Sequence, residues 1–156
     1  MIGVAEIKRL LPHRYPMLLV DRAMWTDDGA LVVVKAITCN EPWYDDIGDD
    51  DDHGYPGTLL VESWMQAAGV VLCLTGEVDV PAGHVMLAGK LSGLTFGRRV
   101  VPGDVLHHDV RIVRVVPGTV IVSGETTVGG EVVLSLERVM LAFRPAGTLP
   151  VAEGAR

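Results

Sequence analysis

Aromatic residues make up only 5% of this 156-residue chain, and there are just two cysteines, Cys39 and Cys73. Two cysteines cannot build a disulfide framework, and their spacing fits no zinc motif. Cys73 lies in an apolar run and reads as a small core residue. Positive charge is also in deficit, with 13 Lys and Arg against 20 Asp and Glu and a formal charge of -7. No basic stripe exists to neutralise phosphates, so nucleic-acid binding is not expected. The N-terminus has no basic region followed by an apolar one. No signal peptide is therefore expected, and the cytoplasm is the default location. A membrane span needs roughly 20 apolar residues. The nearest run, 59–74, is shorter and is interrupted by Glu62, Ser63 and Gln66. It reads as a buried helix.

What the chain has is apolar mass. Hydrophobic residues make up 49%, enough to bury a core. They are mostly Val, Leu, Ala and Met, with the valines concentrated in the second half, where β-branched side chains favour strands. Val4, Ile7, Leu10 and Leu11 share one face of a short helix over 4–11 that Pro12 ends. Residues 17–25 and 30–38 read as strands joined by an Asp27-Asp28-Gly29 turn. The pattern over 58–75 predicts one long helix, apolar nearly all round and therefore interior, which Gly76 ends. After a Pro-Gly linker, residues 84–99, 105–116, 119–129 and 131–143 read as four strands. Val116-Pro117-Gly118-Thr119 and Val128-Gly129-Gly130-Glu131 are hairpin turns. The pattern is that of an α+β domain over residues 1–144, an antiparallel sheet wrapped around one long helix. A Gly-, Ala- and Pro-rich tail over 145–156 is expected to fray.

Residues 39–57 have no apolar periodicity and read as a long loop, of a length that is often functional or mobile. Asp45, Asp46 and Asp49 to Asp52 crowd into it. A solvated acidic loop is the plain reading. A calcium site fails the EF-hand pattern, because the twelfth position from Asp49 is Leu60. His107, His108 and Asp109 suggest a metal, but neighbours on a strand point to opposite faces. No metal and no cofactor is expected.

Glu62 is the most informative residue. A carboxylate buried in an apolar helix is costly without a partner or a task, and desolvation is expected to raise its pKa. Gln66, one turn later on the same face, can hydrogen-bond to it. A Glu facing solvent or a polar interface remains the structural alternative.

Several separated motifs carry a resemblance. Leu11-Pro12-His13-Arg14-Tyr15-Pro16-Met17-Leu18-Leu19-Val20-Asp21-Arg22 resembles the opening signature of β-hydroxyacyl-acyl carrier protein dehydratases. Asn40-Glu41-Pro42, Pro56-Gly57 with Glu62 and Gln66, and Phe96-x-Arg98-x-Val100-Val101-Pro102-Gly103-Asp104 resemble further motifs of that family, in the same order. The similarity covers about residues 4–143 and implies a hot-dog fold, with two subunits pairing their sheets edge to edge. It also implies a substrate carried on the phosphopantetheine of an acyl carrier protein.

In the family, a loop His removes the α proton and a carboxyl group from the other subunit protonates the leaving hydroxyl. Acid and base then keep different pKa values in one dry site. The resemblance makes Glu62 the acid. It does not supply the base. The family loop reads G-H-F-P-G, and its His position falls on Ile47 or Gly48, depending on the end counted from. His53, in His53-Gly54-Tyr55-Pro56-Gly57, is either a shifted copy of that base or an exposed loop residue. Gly57, Gln66, Gly89 and Arg98 are the expected substrate-binding positions. The Gly57 N–H, at a helix start, could polarise a thioester carbonyl, and Pro56-Gly57 equally suits a plain helix start. Arg98 and Arg99 could meet an acidic carrier or be ordinary surface charges. His13 is read as structural.

Four functions follow as alternatives. The first is dehydration of a (3R)-hydroxyacyl thioester on a carrier protein, in fatty-acid or, given the altered loop, polyketide-type biosynthesis. The second is a catalytically incomplete subunit of a heterodimer whose partner supplies the His. A hot-dog thioesterase and a non-catalytic acyl-thioester binder complete the set. The opening signature and Val-Val-Pro-Gly-Asp favour the first two.

Overall fold

The computed structural model describes residues 1–79, 83–145 and 147. Helix α1 (Val4–Leu10) is followed by strands β1 (Arg22–Trp25) and β2 (Leu31–Ala36), then a short 3-10 turn over Pro42–Tyr44. Helix α2 (Gly57–Thr75) precedes four strands: β3 (His84–Phe96), β4 (Val105–Val116), β5 (Thr119–Val128) and β6 (Glu131–Pro145). The six strands form one antiparallel sheet in the order β1-β2-β4-β5-β6-β3. The architecture is the α+β arrangement expected from the sequence. Most of the expected tail, and part of the Pro-Gly linker, lie outside the described residues.

Helix α2 fills the hollow of the sheet. Leu60 and every residue from Ser63 to Leu72 are buried. Each fully buried Leu or Val there contributes about 1.5–3 kcal/mol. The helix is long and apolar enough to cross a membrane by length and composition, but this sheet and α1 already cover its apolar faces. Trp64 is fully buried and seats the helix on the sheet. Its indole N–H donates to the Asp109 carbonyl at 3.2 Å. A Cβ on Gly124 would stand 3.2 Å from its ring and 2.0 Å from the Asp109 carbonyl oxygen. Only a glycine lets strand and helix approach this closely. Gly76, at φ 69°, takes the left-handed turn that ends the helix.

The boundaries differ where side chains replace strand pairing. Residues 17–25 do not form one strand, since β1 begins at Arg22. The preceding Met17–Leu19 segment is a strap: the Met17 carbonyl and both backbone groups of Leu19 bond side chains of α2. The Tyr15–Pro16 peptide leading into it is cis. Cys73 is exposed rather than buried. It lines a cavity between α1 and β3, and partial burial still pushes its thiol pKa up. Strand β3 forms one edge of the sheet and exposes Leu87, Leu91, Leu94 and Phe96.

Candidate functional site

Glu62 projects from the side of α2 that the strap crosses. Its side chain keeps 36% of its exposure, so the expected full burial of this carboxylate is not met in the single chain. The apolar surroundings predicted from the helix sequence cover its neighbours Ser63 and Gln66 instead. Gln66 is 1% exposed and uses both its N–H donors and its carbonyl oxygen. Its Nε2 donates to Glu62 Oε1 at 2.8 Å and to the Met17 carbonyl at 2.7 Å. Its Oε1 accepts from the Leu19 N–H at 2.8 Å. The expected Glu62–Gln66 bond is therefore present, and the same amide fastens the strap to the helix.

His13 arrives at the same place from the far end of that strap. Its Nε2 lies 3.4 Å from Glu62 Oε1, with the imidazole 33% exposed. Its Nδ1 is buried and has no hydrogen-bond partner among the described residues. His13 also lines a cavity of about 430 Å³ with Gly69, Leu72, Cys73, Met86 and Phe143 among its walls. Sequence reasoning gave His13 no more than a structural role. The missing signal was a contact across 49 residues, which no local pattern displays.

A second polar chain runs from Ser63, the next residue of α2, into the sheet. The Ser63 hydroxyl donates to the Leu19 carbonyl at 2.7 Å and lies 2.9 Å from His108 Nε2. His108 Nδ1 lies 2.8 Å from Thr126 Oγ1. Because the Ser63 proton is engaged by Leu19, Nε2–H donates to Ser63 Oγ and Nδ1 accepts from Thr126. All three side chains are fully buried. Burial, aided by the nearby charges of His107 and Lys35, pushes the His108 pKa down to about 3. His107 is only half-buried, so the two adjacent histidines do face opposite ways. Among the described residues, no group of three or more His, Cys, Asp or Glu is placed to hold a metal ion.

The loop before α2 is held from both sides. Tyr44 is buried, stacks on the His53 ring at 6.4 Å and donates its hydroxyl to the His53 carbonyl at 3.2 Å. His53 is exposed, and among the described residues no ion pair joins it to Glu62. Of the two positions that match the family's loop His, Ile47 packs against the core and Gly48 donates its N–H to Asp51. Asp52 pairs with Arg99 and accepts the Gly54 N–H at 2.7 Å. Below the loop, Lys35 and Glu41 form a nearly buried pair at 2.6 Å. Tyr55 is buried with an unpartnered hydroxyl, and desolvation, then the Glu41 charge, pushes its pKa up.

The remaining expected positions are dispersed. Gly57 opens α2, and a Cβ there would stand 3.1 Å from the Phe96 ring. Close packing against β3 thus accounts for a glycine at that helix start. Gly89 lies on β3 at a register shift in its pairing with β6. Arg98 grips Asp104 through both terminal nitrogens, at 2.9 and 3.1 Å, and donates Nε–H to Glu131 at 3.0 Å. Those bonds hold the Asp104 carboxyl below the usual carboxylate range. They make Arg98 a clasp of the turn after β3.

The arrangement resembles known proteins in both sequence and shape. A family profile described as a FabA-like domain matches residues 11–137. A 3-hydroxyacyl-[acyl-carrier-protein] dehydratase FabZ of Shewanella sp. (strain MR-4) is 38% identical over 153 residues, spanning 92% of this chain and 93% of the relative. A FabZ of Shewanella baltica (strain OS155) is also 38% identical, with the same coverage. Among solved structures, the dehydratase heterocomplex ApeI:P from Xenorhabdus doucetiae superposes with a TM-score of 0.67 at 17% identity, covering 88% of this chain and 90% of that one. A hypothetical thioesterase with coenzyme A from Streptococcus pneumoniae TIGR4 gives 0.56 at 16% identity, covering 80% and 85%. These structural likenesses establish the hot-dog fold.

Proposed function

This chain belongs to the FabA-like domain family, and from that premise we propose that it dehydrates a 3-hydroxyacyl thioester carried on an acyl carrier protein to the 2-enoyl thioester. The observation that carries this reading is Glu62. It is half-open on an otherwise buried helix and oriented by the Gln66 amide at 2.8 Å. As general acid it delivers a proton to the departing C3 hydroxyl, while a base takes the C2 proton and the C2–H electrons form the new double bond. The altered loop supports a specialised, polyketide-type setting. The exposed apolar edge of β3 supports a dimer joined through that strand, since an unpaired edge carrying Leu87, Leu91, Leu94 and Phe96 invites a second sheet.

A second reading rests on the loop. Neither Ile47 nor Gly48 can accept a proton, so a second hot-dog subunit with an intact loop His would complete the site as a heterodimer. The test is turnover of 3-hydroxyacyl-carrier-protein substrates by the purified chain, alone and with candidate partners, followed by mass spectrometry. Glu62→Gln is expected to keep the fold and lower turnover about 10²–10⁴-fold in whichever assembly is active. Unchanged turnover in that variant would make Glu62 structural. His53→Ala is expected to change little. If it abolishes turnover by the homodimer, His53 is the base.

A further inference from the structure

We propose that His13 is the positioning residue of the acid, one of two N–H donors that converge on Oε1 of Glu62 and so place the carboxyl proton on Oε2. This rests on the reading of Glu62 as proton donor. Gln66 Nε2 already donates to Oε1 at 2.8 Å, and His13 Nε2 stands 3.4 Å from the same oxygen. That separation is longer than a formed hydrogen bond, as is common for catalytic contacts before substrate binds.

The buried Nδ1 of His13, which has no partner among the described residues, decides the tautomer. An orphaned buried N–H is rarer in proteins than an under-satisfied acceptor. The neutral ring therefore keeps its proton on Nε2, the nitrogen that faces Glu62. With the Gln66 N–H donated to it and His13 Nε2 3.4 Å away, Oε1 takes the acceptor role. The proton of the carboxylic acid then belongs on Oε2, the oxygen left for substrate.

The strap makes this geometry durable. Gln66 and Ser63 of α2 hold the backbone of Met17 and Leu19, a few residues beyond His13. Arg14, the next residue after His13, donates to the carbonyls of Lys8, Leu11 and His13 itself and so ties the turn to α1. The backbone of His13 and the chain that follows it are thus fixed to α1 and α2, and the ring reaches Glu62 from a held base. The cavity that His13 shares with Gly69, Leu72 and Met86 continues past it along α2.

The full chain, in its active assembly, is compared with His13→Phe, His13→Gln and Glu62→Gln. Loss of a hydrogen bond to an ionisable partner, about 1.5–3 kcal/mol, corresponds to roughly 10–100-fold. His13→Phe is expected to lower kcat by that factor with KM within about 2-fold. His13→Gln keeps an N–H donor and is expected to recover most of the loss. Equal loss in both variants, or no loss in His13→Phe, overturns the proposal. A second measurement needs no turnover. Long-range ¹H–¹⁵N spectra of the imidazoles, recorded at a pH where His13 is neutral, are expected to show its proton on Nε2, and to shift when Glu62 becomes Gln. A proton on Nδ1, or a ring indifferent to Glu62→Gln, overturns it. If no thioester is dehydrated by any assembly, the reading of the reaction fails while the spectra still decide the contact.

Discussion

Two polar clusters flank α2 within one helical turn, built from the same kinds of residue and left in opposite conditions. Ser63, His108 and Thr126 are fully buried and hydrogen-bonded in a closed chain. Glu62 and His13 retain about a third of their exposure, and Nδ1 of His13 has no partner among the described residues. A satisfied network in a low-dielectric interior rigidifies and specifies a fold. A half-open pair with spare bonding capacity can meet a substrate. Residue type does not separate a structural histidine from a working one here. Accessibility and unused hydrogen-bond capacity do. Gln66 links the two conditions, because it is buried itself and still reaches the open carboxylate.

Three experiments would break or sharpen that contrast. The largest effect is expected for His108→Ala. It strands Ser63 and Thr126 without their common partner and opens a hole between helix and sheet. Denaturant unfolding should show a loss of about 3–5 kcal/mol. A loss below 1 kcal/mol would mean that the buried chain is not structural. His13→Gln, by contrast, should leave the unfolding midpoint nearly unchanged.

Acid should also distinguish the two sites. His108 is pushed down to about 3 in the fold, against about 6.5 in the unfolded chain. Below 6.5 the unfolded state binds the proton that the folded state refuses. Stability from this group is complete above pH 6.5 and falls as pH drops towards 3. About 2–3 kcal/mol should be lost between pH 6.5 and 4.5. Melting curves of wild type and His108→Gln should therefore converge as the solution is acidified over that range. Parallel curves would contradict a neutral buried His108.

The smallest effect is expected at the loop. Asp52 and Arg99 pair on the surface, both more than half exposed, and such pairs contribute about 1 kcal/mol or less. Asp52→Ala should shift the melting temperature only slightly, and added salt should shrink the difference further. A larger loss would place the acidic loop with the rigid parts of the molecule.

The sequence displayed what depends on near neighbours. The long helix, its glycine stop, both tight hairpins and the Glu62–Gln66 spacing all lie within one turn or one period of themselves. It concealed what depends on distant partners. Met17 to Leu19 read as part of a strand, yet the Met17 carbonyl and both backbone groups of Leu19 bond Gln66 and Ser63, more than forty residues away. His13 meets Glu62 only because that strap crosses the helix. Cys73 has the apolar neighbours of a core residue, and only the cavity beside it shows that it is exposed. Arg98 looked free to contact a partner, and its clasp on Asp104 and Glu131 depends on the turn that follows β3.

The position of β3 orders events during synthesis. It leaves the ribosome third among the strands, yet its place in the sheet is beside β6, the last to be made. Until β6 has emerged, the leucines of β3 have no sheet to belong to, and the free edge proposed to receive a second subunit does not yet exist. The pairing proposed through that edge therefore has to wait for β6.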